Sequence, residues 1–88
     1  MIIDFHQNFV RKYRKLNKKL QQKVDKSIDV FRKNSSDPHL KNHALSGRLK
    51  GKRAFSVTGD LRVIFEEHNH YVLVIMLDVG THAQVYGE

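Results

Sequence analysis

Cysteine is absent from this 88-residue sequence, which excludes disulfide scaffolds, thiol catalysis and cysteine-based zinc sites. Proline occurs once, at Pro38. No apolar run approaches the roughly 18 residues that a transmembrane helix needs, and residues 1–20 do not read as a signal peptide. A cytoplasm is the expected setting. Acidic residues are scarce in one half only. Residues 1–50 hold four against thirteen Lys and Arg, a balance of +9; residues 51–88 hold five against three, a balance of −2.

The whole chain carries +7, and 40% of its residues are hydrophobic, too many for a disordered segment. The length predicts a single domain over 1–88, with one modest core and little room for a deep pocket. A strongly positive half joined to a nearly neutral one points to a polyanion, with nucleic acid the leading candidate. A solvated helix face that keeps a small protein soluble accounts for the same charge.

Met1–Phe5 reads as a short strand. From Gln7 the period changes, and Phe9, Val10, Tyr13 and Leu16 form one helical stripe. Asn17 is the expected N-cap of a second helix whose stripe is Leu20, Val24, Ile28 and Phe31. Lys18, Lys19, Lys23, Lys26, Arg32 and Lys33 lie between those positions and make the outer face. The two stripes can pack as a hairpin or cover a sheet together. Asn34-Ser35-Ser36-Asp37-Pro38 ends the helix, because proline disfavours the helical conformation at Asp37. Strands are then expected at Lys52–Val57, Leu61–Glu67 and Tyr71–Asp78, joined by the tight turns Thr58-Gly59-Asp60 and His68-Asn69-His70. The fold class is α+β: a short N-terminal strand, a two-helix hairpin, then an antiparallel meander packed on the helices.

These turns set a register in which Ser56 faces Arg62, Arg62 faces Met76, Leu61 faces Leu77 and Asp60 faces Asp78. Alternation then assigns Phe55, Val57, Leu61, Val63, Phe65, Tyr71, Leu73, Ile75 and Leu77 to the face that receives the helices. Ser56, Arg62, Ile64, Val74 and Met76 take the other face, with Asp60 and Asp78 at its edge. His82 leaves the last strand close to Asp60 and Arg62.

An imidazole, a carboxylate and a guanidinium at one rim of a sheet suit phosphodiester chemistry. Cutting RNA without a metal requires a base for the 2′-hydroxyl, an acid for the leaving 5′-oxygen and a cation on the phosphorane oxygens. Histidine exchanges protons near neutral pH, and arginine is a permanent fork matched to phosphate. Tyr86 can stack on a base or donate a hydrogen bond. An Asp60–Arg62 structural ion pair is the plain alternative. His68 and His70 flank a turn but have no evident third metal ligand, and His6 and His39 carry no signal.

Three segments in order carry a family resemblance. His43-Ala44-Leu45-Ser46-Gly47-Arg48-Leu49-Lys50-Gly51-Lys52-Arg53 resembles the lead into the sheet of RelE-superfamily bacterial toxins, their YafQ branch above all. The match continues through Ser56-Val57-Thr58-Gly59-Asp60-Leu61-Arg62-Val63-Ile64-Phe65 and ends in Val79-Gly80-Thr81-His82-Ala83-Gln84-Val85-Tyr86. The helical half looks like this family too. The resemblance implies the toxin of a toxin–antitoxin pair: a metal-independent endoribonuclease that needs no cofactor and cuts messenger RNA on the ribosome. Its partners would be an antitoxin, the ribosome and the message, with operator DNA reached only through the antitoxin complex and no membrane. The functional set it implies is His43, Asp60, His82 and Tyr86, with Arg62 aimed at the phosphate. Ser56 stands where the YafQ pattern has a further histidine, which leaves the proton transfer to the others or weakens cutting. In the expected roles His82 protonates the leaving oxygen, Asp60 or His43 takes the 2′-proton, and Tyr86 places the nucleotide. Lys50, Lys52 and Arg53 touch RNA phosphates. The alternative is a non-catalytic basic module that binds RNA, ribosome or antitoxin on the same fold.

Overall fold

The computed structural model describes residues 1–87. In chain order it runs β1 (Ile2–Phe5), α1 (Gln7–Lys15), α2 (Lys18–Lys33), β2 (His43–Ala44), β3 (Arg53–Ser56), β4 (Leu61–His68), β5 (Leu73–Thr81) and α3 (His82–Tyr86). Two single 3-10 turns, Pro38–Leu40 and Gly47–Leu49, flank β2. The α+β class, the opening strand and both long helices match expectation.

Local chemistry sets the helix ends. His6 caps α1, its Nδ1 accepting the Asn8 N–H at 3.0 Å. Asn17 caps α2, its Oδ1 accepting the Leu20 N–H at 2.9 Å. Tyr13 ties the two helices together: its hydroxyl donates to Asp25 at 2.7 Å, and its carbonyl accepts from Gln21 Nε2 at 3.0 Å. Both helices lie on one face of the sheet. Phe9, Val24, Ile28 and Phe31 share one core with Phe55, Leu61, Val63, Phe65, Val74, Met76 and Val79. Phe31 is fully buried, with ring centroids 5.0 Å from both Phe55 and Phe65. The hairpin thus covers the sheet instead of packing only on itself.

The sheet has five strands in the order β1-β5-β4-β3-β2. The three-stranded meander is present, but β1 extends it by pairing parallel to β5, and the short β2 extends it beyond β3. The β3–β4 register is the expected one, with Phe55 opposite Val63 and Ser56 opposite Arg62.

The β4–β5 register is not. Arg62 faces Gly80 instead of Met76, Leu61 faces Thr81 instead of Leu77, and Asp78 faces Ile64 instead of Asp60. Two causes add up to this four-residue offset. The turn after His68 is longer than the three residues expected: Asn69, His70 and Tyr71 all take left-handed φ, and His68 pairs with Leu73, an offset of three. A bulge between Ile64 and Phe65 adds the fourth, because Asp78 and Met76 become consecutive partners and Leu77 is skipped. An odd offset reverses which side chains face the helices. Val74 and Met76 are therefore fully buried beneath them, in place of Leu73, Ile75 and Leu77. Asp78 leaves the expected site edge and forms an ion pair with Lys12 at 2.8 Å.

The second sheet face has its own small cluster. Ala54 and Ile64 pack there with Val85 of α3, flanked by Leu45, Leu77 and Tyr86. Helix α3, absent from the expected element order, carries His82 and Tyr86 on that face. No helix among the described residues is long and apolar enough to cross a membrane.

Candidate active site

The residues around His43, Arg62, His82 and Tyr86 line one open cavity of about 380 Å³, together with Ala44, Leu45 and Ser46. Four of the five candidate catalytic side chains meet there, drawn from β2, β4 and the two ends of α3.

His43 stands on β2 opposite Ala54. Its Nδ1 lies 2.8 Å from the carbonyl oxygen of Lys41, a residue held at φ +51°. A carbonyl oxygen only accepts, so Nδ1 carries the proton and the neutral ring keeps its lone pair on Nε2. The neighbouring Asn42 is fixed from three sides. Its Nδ2 donates to the Ser35 carbonyl (3.0 Å) and the Tyr71 hydroxyl (3.1 Å), and its Oδ1 accepts from Arg53 Nε at 3.0 Å.

Arg62 is anchored through one nitrogen. Nη1 donates to the Thr58 carbonyl at 3.0 Å and to that of Leu61 at 3.4 Å. Among the described residues the ion pairs are Lys12–Asp78, His39–Asp37 and His68–Glu66, so Arg62 is in none of them. The alternative Asp60–Arg62 ion pair does not form, and no carboxylate among the described residues pairs with the rest of the guanidinium fork.

His82 opens α3. Its backbone N–H approaches both the carbonyl of Asp60 (3.2 Å) and its Oδ1 (3.4 Å). Asp60 thus lies beside His82, as expected, but its carboxylate is turned to the helix start and does not line the cavity. Thr81 and Gln84 form a reciprocal capping box around that start: Thr81 Oγ1 accepts the Gln84 N–H at 3.2 Å and Gln84 Oε1 accepts the Thr81 N–H at 2.8 Å. Gly80, opposite Arg62, makes room for it, since a Cβ there would sit 2.7 Å from Gln84 Oε1.

One helical turn on, the ring of Tyr86 meets the His82 imidazole edge to face, centroids 4.3 Å apart at 73°. Burial raises the Tyr86 phenol above its usual pKa, and the Arg62 guanidinium pulls it back in part. The phenol is therefore a neutral donor wherever histidine chemistry operates.

The remaining candidates lie outside the cavity. Ser56 faces Arg62 across the strands, yet it lines a different groove with Lys23, Lys26 and His39. Lys50 ends the Gly47–Leu49 turn, and Lys52 follows Gly51, whose φ is +92°. Arg53 is committed to Asn42. No group of three or more His, Cys, Asp or Glu side chains converges among the described residues. A larger cavity of about 450 Å³ between β1, α1 and α2 is lined by Phe5, Phe9, Val10 and Ile28, and its Tyr13–Asp25 pair is already hydrogen-bonded to itself.

Sequence reasoning missed the parts that hold the site. The capping box was legible as Thr-x-x-Gln before an apolar residue. Arg48, which donates to the Tyr86 carbonyl from the Gly47–Leu49 turn, and the Asn42 bridges had no local signal.

Solved structures share this architecture. YafQ from E. coli strain BL21(DE3) superposes with a TM-score of 0.82 at 21% identity, over 97% of each chain. A YoeB/ParE toxin from Agrobacterium tumefaciens gives 0.77 at 13% identity, covering 93% of this chain and 99% of that one. YafQ in the E. coli DinJ–YafQ toxin–antitoxin complex gives 0.78 at 22%, covering 97% and 96%. At such identities the likeness establishes the fold. No curated protein matches the sequence. The family model described as "Bacterial toxin of type II toxin-antitoxin system, YafQ" matches residues 1–87, and the chain therefore belongs to the YafQ family of type II toxin–antitoxin toxins.

Proposed function

We propose that the chain is a metal-independent endoribonuclease that cuts messenger RNA on the ribosome, and that its cognate antitoxin silences it. The observation that carries this reading is the meeting of His43, Arg62, His82 and Tyr86 in one open cavity. Two imidazoles and an arginine are what 2′-hydroxyl attack on a phosphodiester demands.

His43 is the base. With Nδ1–H held by Lys41, the Nε2 lone pair takes the 2′-proton. The 2′-oxygen attacks phosphorus and the bond to the 5′-oxygen breaks, leaving a 2′,3′-cyclic phosphate. His82 protonates the departing 5′-oxygen. Arg62 meets the charge on the phosphorane with the part of its fork not given to Thr58 and Leu61. Tyr86 stacks on or hydrogen-bonds the nucleotide. Asp60 orders the first residue of α3 through the His82 N–H, and His43 takes over the base role left open between them. Ser56 has no part in proton transfer. Lys50 and Lys52 attract the RNA backbone, as does the basic outer face of α2.

A shallow site this small gains from a substrate already threaded and held, which is what the ribosomal decoding site offers. The antitoxin is one whose acidic or amphipathic segment meets the half carrying +9.

The test is single-turnover cleavage of ribosome-bound message by the wild type and His82→Ala, both folded by circular dichroism. Cleavage by the wild type with a fall of about 10²–10⁴ in the variant is expected. An undiminished rate removes His82 from the mechanism. A wild type that binds ribosomes and cuts nothing leaves only the binding-module reading.

A further inference from the structure

Helix α3 is five residues long and carries both rings of the proposed site, His82 at its first position and Tyr86 at its last. A helix of that length has no stability of its own in water. Its start is secured by the Thr81–Gln84 capping box, and its middle by Val85, buried against Ala54 and Ile64. Its end is secured from a distant part of the chain. Arg48, in the turn Gly47–Leu49, donates through Nη2 to the backbone carbonyl of Tyr86.

The chemistry of that contact is favourable in two ways. The carbonyls of a last helical turn have no partner within the helix, so Tyr86 O is an acceptor in want of a donor. The same end carries the negative pole of the helix dipole, which a cation offsets. Gly87 completes the arrangement. It takes a left-handed φ of +73°, and a Cβ there would stand 2.6 Å from Arg48 Nη2. The guanidinium occupies the space a side chain would fill. Arg48 itself is absent from the cavity shared by His43, Arg62, His82 and Tyr86.

We propose that Arg48 is a positioning residue of the nuclease centre: by holding the Tyr86 carbonyl it fixes the Tyr86 ring, and through the edge-to-face contact it fixes the His82 imidazole. This rests on the nuclease reading for its effect on rate, though not for its effect on the rings. Arg48 acts without touching RNA. The Arg48–Tyr86 hydrogen bond couples the loop that follows β2, and so the His43 side of the cavity, to the His82 side. A surface arginine that merely greets a phosphate would do none of this.

The experiment uses the full chain as Arg48→Ala, Arg48→Lys, Gly87→Ala, the double variant R48A/G87A, and Tyr86→Leu as a reference. The first readout is the chemical shift of the His82 ring protons. In the wild type the neighbouring Tyr86 ring displaces them from their position in Tyr86→Leu. Arg48→Ala and Gly87→Ala each move them most of the way to that reference, the double variant moves them no further, and Arg48→Lys restores most of the displacement. The second readout is single-turnover cleavage at saturating enzyme. Arg48→Ala lowers the rate constant by up to about 10²-fold, the scale of a small misplacement of reacting groups, with RNA affinity unchanged.

Wild-type ring shifts in a folded Arg48→Ala overturn the proposal. So does a variant that binds RNA more weakly, with a shallower salt dependence, but cuts at the wild-type saturating rate; Arg48 is then a phosphate contact. If the wild type cuts no message at all, the nuclease reading fails by itself. The ring-shift readout still decides whether Arg48 holds the pair.

Discussion

The Nδ1 of His43 and the carbonyl oxygen of Lys41 are 2.8 Å apart, and this one contact decides which nitrogen of the imidazole is basic. Backbone holds the proton on one side of the ring, so the lone pair is on the other. Lys41 pays for the placement with a left-handed φ of +51°, a conformation uncommon outside glycine and asparagine. His43→Ala is expected to lower the single-turnover rate by about 10²–10⁴. His43→Gln keeps a donor toward Lys41 but has no basic nitrogen, and should be as poor. A glutamine variant that cuts at the wild-type rate would assign His43 to positioning and return the base role to Asp60.

Tyr86 and Arg62 interact in a way that titration can read. Burial raises the phenol, and the Arg62 cation lowers it by favouring the phenolate. Removing the cation in Arg62→Ala leaves burial unopposed, so the Tyr86 pKa should rise further. The sign for stability follows: with the folded pKa above the unfolded one, the neutral phenol contributes fully below the unfolded value, and the contribution is lost as pH rises through the folded value. The measurement is phenolate absorbance of the wild type minus that of Tyr86→Phe, repeated in the Arg62→Ala background. A lower Tyr86 midpoint without Arg62 would place the guanidinium elsewhere.

How much of this was legible depends on where the chain repeats itself and where it does not. The helices were readable because Phe9–Tyr13–Leu16 and Leu20–Val24–Ile28–Phe31 recur at helical spacing, and Asn17 is a good cap. The β4–β5 register was not readable, because Val72–Leu77 is apolar at every position and alternation carries no information there. Tyr71 in left-handed conformation lengthens the turn without a glycine to announce it. His82 still arrives beside Asp60 because the turn and the bulge together move β5 by four residues, an even number that restores the original facing at its far end. The meeting of His43 with Arg62 and His82 joins segments about 20 and 40 residues apart, and came into view through the family resemblance alone.

The capping box of α3 can be tested apart from catalysis. Thr81→Ala removes the acceptor for the Gln84 N–H, and loss of such a cap typically costs about 0.5–2 kcal/mol. The damage should be local. Amide exchange in residues 82–87 is expected to quicken, while β4 amides facing the helical core keep their protection. Uniform loss of protection would mean that α3 supports the whole sheet.

Arg53 differs from Lys50 and Lys52 in what its side chain holds. Arg53 Nε is bound to Asn42, whose amide also reaches Ser35 and Tyr71, so Arg53→Ala should lower stability by about 0.5–1.5 kcal/mol, the scale of one hydrogen bond. Lys50 and Lys52 have no such tie among the described residues and sit around Gly51, between the last 3-10 turn and β3. Replacing both by alanine should weaken RNA binding alike for every sequence. Because each neutralised phosphate releases a counterion, the slope of log affinity against log salt should flatten by about 0.7 per lysine for a single strand. Fluorescence anisotropy with a labelled RNA across a salt series measures it. An unchanged slope would remove both lysines from the interface and leave the attraction to the exposed basic face of α2.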